Sequence, residues 1–239
     1  MDKLYIVIPA INEEENIESV VRDWHGVITN LNHTESRLVV VENGSKDRTY
    51  EILQNLSKEL PFLIPLKEDL NSHGAKIYFG YKYAIKNNAD YIFQTDSDGQ
   101  TLPSEFQAFW DARKVHTAII GHRIHRLDGV NRIFVARVLK FLIFIVFGIN
   151  VPDANTPFRL MHADKVNHYL SMMPENYNLA NVMLTVMFIF YKENIAFLPI
   201  TFRPRQGGVN NTNFKRITNT GFNAIKEFIE IKKNMNKVT

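Results

Sequence analysis

Short apolar runs alternate with longer amphipathic stretches through the first half of the chain. Leu4–Ile8 is a continuous apolar run closed by Pro9 and reads as a buried strand. Asn12 is placed to cap a helix, and Glu13, Glu14 and Glu15 suit the positive end of that helix. A second strand is expected over Leu38–Val41, a turn at Gly44-Ser45 and a helix over Lys46–Leu60. Phe62–Leu66 is a weaker strand flanked by Pro61 and Pro65. Gly74–Asn87 is helical in pattern, with Ile77, Tyr81, Ala84 and Ile85 on one face, and Tyr91–Thr95 is a strand that ends at Asp96. Short connections and strict alternation predict an α/β fold: a mainly parallel sheet, Rossmann-like, with helices on both faces.

The second half is less regular. Pro103 opens a helix carrying Phe106, Phe109 and Trp110, and Thr117–Gly121 is a strand. A helix is expected over Asn131–Phe147, strands within Asp153–His162 and Ile195–Phe202, and an apolar helix over Leu179–Tyr191. Phe214–Lys237 is an amphipathic helix with Ile217, Phe222, Ile225, Phe228 and Ile229 near one face, and Lys226, Lys232, Lys233 and Lys237 along it. The expected organisation is one domain over 1–212 with the helix of 213–239 packed on or beside it. The stretch Val138–Val151 is apolar all round, which fits either a core helix or a helix that dips into a membrane interface.

Ligands of parallel sheets sit beyond the carboxyl ends of the strands. Three polar clusters fall there: Asn12-Glu13, Glu42-Asn43-Gly44 and Asp96-Ser97-Asp98. Asp96 and Asp98 are the sharpest signal. Ionised carboxylates are costly to bury unpaired, and these two repel each other. A divalent cation shared with a diphosphate relieves that repulsion. An isolated Asp-x-Asp-Gly is more often a solvated turn; the coincidence of three clusters favours a site. A calcium loop of the EF-hand type needs its glycine at the sixth position and a Glu at the twelfth, whereas here the glycine is fourth and the ligand series stops.

Composition narrows the partners. The net charge of +3 over 239 residues is mildly basic, which suits phosphate-bearing ligands or an anionic membrane surface. There are no basic runs interleaved with aromatics, so a nucleic-acid partner is not expected. Cysteine is absent, which excludes a disulfide framework and thiolate metal sites. No basic stretch followed by an apolar one opens the chain, so no signal peptide is expected. The apolar run Phe141–Phe147 is far short of the roughly 20 residues of a spanning helix. A cytoplasmic protein, peripheral on the cytoplasmic membrane face, fits these features.

Five motifs carry a family resemblance in order along nearly the whole chain. Pro9-Ala10-Ile11-Asn12-Glu13-Glu14-Glu15-Asn16-Ile17 resembles the opening motif of family 2 glycosyltransferases with the GT-A fold. Glu42-Asn43-Gly44-Ser45-Lys46-Asp47-Arg48-Thr49 is similar to that family's DDGSxDxT. Asp96-Ser97-Asp98-Gly99-Gln100 resembles the DxDGQ of the dolichol- or polyprenyl-phosphate sugar synthase branch. Asp153-Ala154-Asn155-Thr156-Pro157-Phe158-Arg159 is similar to its D-x-x-SGFR segment, and Arg205-Gln206-Gly207-Gly208-Val209-Asn210 to its R-x-x-G-x-S loop.

The resemblance implies transfer of a sugar from a GDP- or UDP-linked donor to a polyprenyl phosphate or other lipid-linked acceptor, with inversion. The alternative acceptor is a glycan hydroxyl. Asp98 and Gln100 would ligate Mg²⁺ or Mn²⁺, with Asp96 assisting through the ribose or the metal. Pro9, Ile11 and Glu13, with Val41, Glu42 and Asn43, would frame the base and ribose, and Ser97 lies in the same corner. Arg123, Arg132 and Arg205 would hold phosphates, for which the guanidinium fork is well shaped. A hydroxyl acceptor needs a general base and a phosphate does not; Asp153 is the candidate base, with orientation of Arg159 as its other role. The acceptor would come from a membrane surface or a membrane subunit. The chain departs from the family at Ile11, where an aromatic is usual, at Glu42-Asn43, at Ala136 and at Asn210.

Overall fold

The computed structural model describes residues 2–31, 34–70, 72–126, 130–175, 177–204 and 225–235, with the side chains of 125, 126 and 130–132 outside the description. Inward-facing residues that alternate along each strand decide the architecture. On β1 (Leu4–Ala10), Leu4, Ile6 and Ile8 enter one core and Tyr5 and Val7 the other. The remaining strands are β2 (Arg37–Glu42), β3 (Leu63–Lys67), β4 (Tyr91–Gln94), β5 (Ala118–Arg126), β6 (Arg159–His162) and β7 (Ile195–Phe202). They form one seven-stranded sheet in the order β3-β2-β1-β4-β6-β5-β7. Only β6 runs against its neighbours; the other pairings are parallel. The mainly parallel sheet predicted from the alternation is therefore present. The chain leaves β1 toward β2 and β3 and then crosses back to β4 on β1's other side. That reversal opens a crevice at the carboxyl ends of β1 and β4.

One core packs α1 (Ile17–Asn30), α2 (Thr49–Glu59) and α4 (Phe106–Ala112) against the sheet. The other packs α3 (His73–Lys86), α5 (Val130–Phe147), α6 (Ala163–Leu170), α7 (Ala180–Phe190) and α8 (225–235). Gly80 sets how closely α3 lies on the sheet: a Cβ there would meet Val7 Cγ1 at 2.4 Å. The C-terminal helix seats Phe228, Ile231 and Met235 in this core, and the Lys232 ammonium donates to the Val146 carbonyl. Ile217 and Phe222, expected on the same helix, lie outside the described residues.

Three expectations need correction. Asn12 does not cap α1, which begins at Ile17. Asn12 instead adopts a left-handed backbone, φ 51°, and its Oδ1 accepts from the Lys46 N–H at 2.8 Å. The polar stretch after β1 is held by the neighbouring loop, and the helix starts only when that loop has been passed. For the same reason α2 begins at Thr49 rather than Lys46. The helix α6, absent from the sequence reading, follows β6 directly.

The apolar helix α5 packs on the core along one side only. Ile143 and Phe147 are buried, while Phe134, Val138, Phe141, Phe144 and Ile145 are exposed. Among the described residues no helix is long and apolar enough to cross a membrane.

Candidate active site

The loops after β1 and β2 are fastened to each other. The Asn12 N–H donates to Ser45 Oγ, the Glu13 N–H to Thr49 Oγ1 at 2.8 Å, and the Glu14 N–H to Asp47 Oδ2. Thr49 in turn donates its N–H and hydroxyl to Asp47 Oδ1. Partial burial works against the Asp47 anion, but hydrogen bonds from Thr49 and Glu14 outweigh it and hold the carboxyl below its usual range. The residues Asn12, Ser45, Asp47 and Thr49 thus shape the pair of loops and present Glu13 and Glu42 at the crevice.

Glu13 is buried and accepts from Asn16 Nδ2. Glu42 is fully buried; Oε1 accepts from the Ser45 N–H at 2.6 Å, and Oε2 has no hydrogen-bond partner among the described residues. Ile11 stands exposed at the end of β1. Of the other residues expected to frame a base, Val41 lies in the core, its Cγ2 close to where a Gly80 Cβ would sit, so only its backbone faces the crevice. Asn43 holds Leu70 by both ends, donating to its carbonyl and accepting from its N–H. The Pro9 carbonyl accepts from Ser97 Oγ at 3.0 Å, which fastens β1 to the loop after β4.

That loop carries the acidic pair. Gly99 has φ 69°, a left-handed conformation that glycine adopts without strain. Burial, together with the nearby Glu13 charge, pushes the Asp96 carboxyl up to about 6 against the opposing pull of Arg123. Asp96 Oδ1 lies 3.8 Å from His73 Nε2, and Asp98 Oδ1 accepts from the Gln100 N–H. Gln100, expected as a metal ligand, is buried and turned toward β7: its Nε2 donates to the Arg203 carbonyl at 2.7 Å. Among the described residues no group of three or more His, Cys, Asp or Glu side chains is gathered for a metal. The donor set nevertheless fits Mg²⁺ or Mn²⁺, hard cations held by one or two carboxylates while phosphates and waters complete the shell. Asp96 and Asp98, at the end of β4, are the carboxylates that could supply those ligands.

On the other flank, Arg123 and Asp153 form a bidentate pair. Arg123 Nε and one terminal nitrogen each lie 2.8 Å from an Asp153 oxygen, and both side chains are only 8% exposed. The guanidinium also lies over the Phe202 ring. Asp153 thus engages Arg123 directly, and its charge also acts on the nearby Arg159. Arg159 is fully buried and donates to the Thr156, Ala154 and Asn181 carbonyls and to Thr185 Oγ1. The backbone of Arg132 is in the first turn of α5, but its side chain, like all of Arg205, lies outside the described residues.

The structure adds one more residue to the crevice. Lys76 of α3 is buried in the crevice, with Nζ 3.3 Å from the Ala10 carbonyl. Burial holds its ammonium below the usual range, against the pull of Glu42, Asp96 and Glu13. The signal was present: a lysine four residues before Gly80, on the side of the helix that meets the sheet. His73 is the first residue of α3 and faces Asp96.

The description "Glycosyl transferase family 2" matches residues 5–170. This chain belongs to glycosyl transferase family 2. Its relatives include a UDP-N-acetylglucosamine–dolichyl-phosphate N-acetylglucosaminyltransferase of Methanococcus voltae, 29% identical over 66% of this chain and 69% of that protein. An undecaprenyl-phosphate 4-deoxy-4-formamido-L-arabinose transferase of Pseudomonas fluorescens (strain Pf0-1) is 20% identical over 92% of this chain and 63% of its own length. A dolichol-phosphate mannosyltransferase of Pyrococcus furiosus is 29% identical over 47% of this chain and 30% of its own. The chain thus spans less than two thirds of several relatives. Among solved structures, glucosyl-3-phosphoglycerate synthase of Mycobacterium tuberculosis, in complex with Mn²⁺, uridine diphosphate and phosphoglyceric acid, superposes with a TM-score of 0.72. It is 15% identical, covering 96% of this chain and 78% of that one, and the likeness is one of fold, GT-A. The chain is accordingly a glycosyltransferase built on the GT-A fold.

Proposed function

We propose that this glycosyltransferase moves a sugar from a GDP- or UDP-linked donor to a polyprenyl phosphate or other lipid-linked acceptor, with inversion at the anomeric carbon. The Arg123–Asp153 pair carries the acceptor assignment. Asp153 is the carboxylate placed to act as general base toward a hydroxyl, and both of its oxygens are engaged by one guanidinium. A carboxylate held this way is a weak base, because taking a proton would cancel the pairing. A phosphate acceptor arrives already ionised and needs no base. The names of the relatives point the same way.

On the donor side, Ile11, Glu13, Glu42 and the backbone of Pro9 and Val41 frame the base and ribose. Glu42 lies buried at the end of β2 beside them, its Oε2 without a hydrogen-bond partner among the described residues. Lys76 supplies positive charge beside them. Asp96 and Asp98 hold Mg²⁺ or Mn²⁺, which when bound neutralises the diphosphate leaving group. Gln100 serves this corner by fixing its loop to Arg203. Arg132 and Arg205 are assigned to the acceptor phosphate and the donor diphosphate by their positions in the motifs. Residues 1–212 form the catalytic domain in this reading, and α8, within 213–239, packs on it.

Lipid-borne phosphate has to be met at a surface. The outer face of α5 presents Phe134, Val138, Phe141 and Ile145, flanked by Arg137 and Lys140, and the helix contains no acidic residue. An apolar stripe with basic flanks suits the interface of an anionic bilayer. We place the protein there peripherally, on the cytoplasmic side, either directly or beside a membrane subunit.

Incubation with labelled nucleotide-sugars, Mn²⁺ and a short prenyl phosphate tests the reading. The expected product extracts into organic solvent. Transfer only to water-soluble glycans would overturn the acceptor. No Mn²⁺-dependent binding of UDP or GDP by calorimetry would overturn the donor site.

A further inference from the structure

Asp96 is the last member of a buried chain of side chains. Its Oδ1 accepts from Gln94 Nε2 at 3.0 Å. Gln94 Oε1 accepts from Asn181 Nδ2 at 2.9 Å. Asn181 Oδ1 accepts from the Tyr81 hydroxyl, also at 2.9 Å. Gln94 and Tyr81 are fully buried and Asn181 nearly so. Each comes from a different element, β4, α7 and α3, and Asn181 also lies beside the buried Arg159 and Thr185. Asn181 is accompanied along α7 by Val182, Met183, Leu184, Val186, Met187 and Phe188. Apolar residues of similar volume would fill this space without hydrogen-bonding demands, so stability alone does not account for the chain of polar groups.

We propose that Tyr81, Asn181 and Gln94 form a positioning relay that fixes the Asp96 carboxylate for the divalent cation, an inference that rests on Asp96 being a metal-binding residue. Polarity makes the relay directional. An amide has a donor end and an acceptor end. The Tyr81 hydroxyl, by donating, turns the Asn181 oxygen toward α3 and its nitrogen toward β4. The Gln94 oxygen then faces α7, and its nitrogen faces Asp96. A donor reaches Asp96 only while every link keeps its sense. The carboxylate is held by one oxygen and the other is left to be aimed by the loop.

The same turn of α7 reaches the acceptor flank. The Asn181 carbonyl accepts from Arg159 at 2.8 Å and from the Thr185 hydroxyl at 2.9 Å. Arg159 and Thr185 both donate to the Ala154 carbonyl, one residue past Asp153. Asn181 thereby ties the Asp96 side of the crevice to the root of the Arg123–Asp153 pair.

The test is Mn²⁺ affinity, measured by electron paramagnetic resonance titration with UDP and, separately, GDP present. Gln94→Leu and Asn181→Leu are expected to weaken Mn²⁺ binding about tenfold or more, as loss of a partner behind a metal ligand typically does. Tyr81→Phe, three links away and shape-preserving, is expected to weaken it by a smaller factor. Asn181→Asp is expected to be worse than Asn181→Leu, because an acceptor at both ends turns Gln94 round and sets its oxygen against Asp96. Nucleotide affinity without Mn²⁺ should be unchanged in all four, whereas a purely structural role would lower it together with the melting temperature. Should Gln94→Leu and Tyr81→Phe fold and bind Mn²⁺ like the parent while Asp96→Asn does not bind it, the relay is overturned and the metal assignment stands. Unchanged Mn²⁺ binding in Asp96→Asn overturns both.

Discussion

The two flanks of the crevice hold their polar groups by different means. At the ends of β1 and β2 the partners are mostly backbone N–H groups, offered by tight turns to Asn12, Glu42, Ser45, Asp47 and Thr49. Around β4, β6 and β5 side chains from separate elements also meet one another directly: Arg123 with Asp153, Gln94 with Asn181, and Arg159, which otherwise donates to carbonyls, with Thr185. The difference follows from the sheet. Parallel strands end side by side, so consecutive loops meet and satisfy one another with short motifs. The reversed strand β6 brings its loop to the crevice from the other direction, and buried polar side chains occupy the space between it and α7. On the first flank a substitution should disturb loops. On the second it should leave a buried charge or amide without its partner.

The largest effect is expected where the flanks meet, at Asp98. Asp98→Ala should lower turnover about a thousandfold, matching several kcal/mol of leaving-group stabilisation supplied by the cation. The side chain is partly exposed, so the melting temperature should barely change. Rate measurements beside a thermal melt check both halves of this statement, and a large loss of stability would show that the acidic loop is built like the buried flank. Next comes Arg123→Ala. It removes the bidentate partner of the nearly buried Asp153 carboxylate and should cost about 3 kcal/mol in denaturant unfolding. Arg123→Lys should recover only part of that, since an ammonium cannot make the parallel pair of hydrogen bonds. Equal stability of Arg123→Ala and the parent would dissolve the contrast between the flanks.

The same contrast explains what was legible in the sequence. The strands and the three strand-end clusters were readable because turn residues at fixed offsets and apolar runs are local signals. The start of α1 was misplaced because three glutamates after Asn12 imitate a helix N-terminus, whereas that stretch is fastened across to residues 45–49. Gln94 and Asn181 were invisible: one polar residue in an apolar strand or helix carries no sign of what it meets, and their partners come from other elements. Lys76 sat on the sheet-facing side of α3 and was readable in principle. The first flank offers the corresponding smaller prediction. Thr49→Val removes the acceptor of the buried Glu13 N–H and a donor to Asp47. It should cost about 1–3 kcal/mol. Asp47 also gives this flank a pH signature. Its carboxyl is held low in the folded state, so its contribution is present above the unfolded pKa of about 4 and is lost as pH falls through the folded value. Asp47→Asn should flatten that acid limb, which unfolding curves collected across the acid range would reveal.

The smallest effect on stability is expected at α5, and its smallness is the point. Phe141 and Ile145 are 62% and 63% exposed, on the side of the helix away from Ile143 and Phe147. Removing them from a face that packs on nothing among the described residues should change unfolding free energy by no more than about 0.5 kcal/mol. If the face meets a bilayer, Phe141→Ser with Ile145→Ser should still reduce sedimentation with anionic vesicles strongly, and Arg137→Ala with Lys140→Ala should reduce it in a salt-dependent way. Turnover on a short, water-soluble prenyl phosphate should be untouched by the serine pair, while turnover on a long-chain acceptor in vesicles should fall. A marked loss of stability instead would mean that α5 covers core on both sides, and vesicle binding equal to the parent's would remove this helix from any membrane contact. Either result would leave the Arg123–Asp153 pair as the sole structural support for a lipid-borne acceptor.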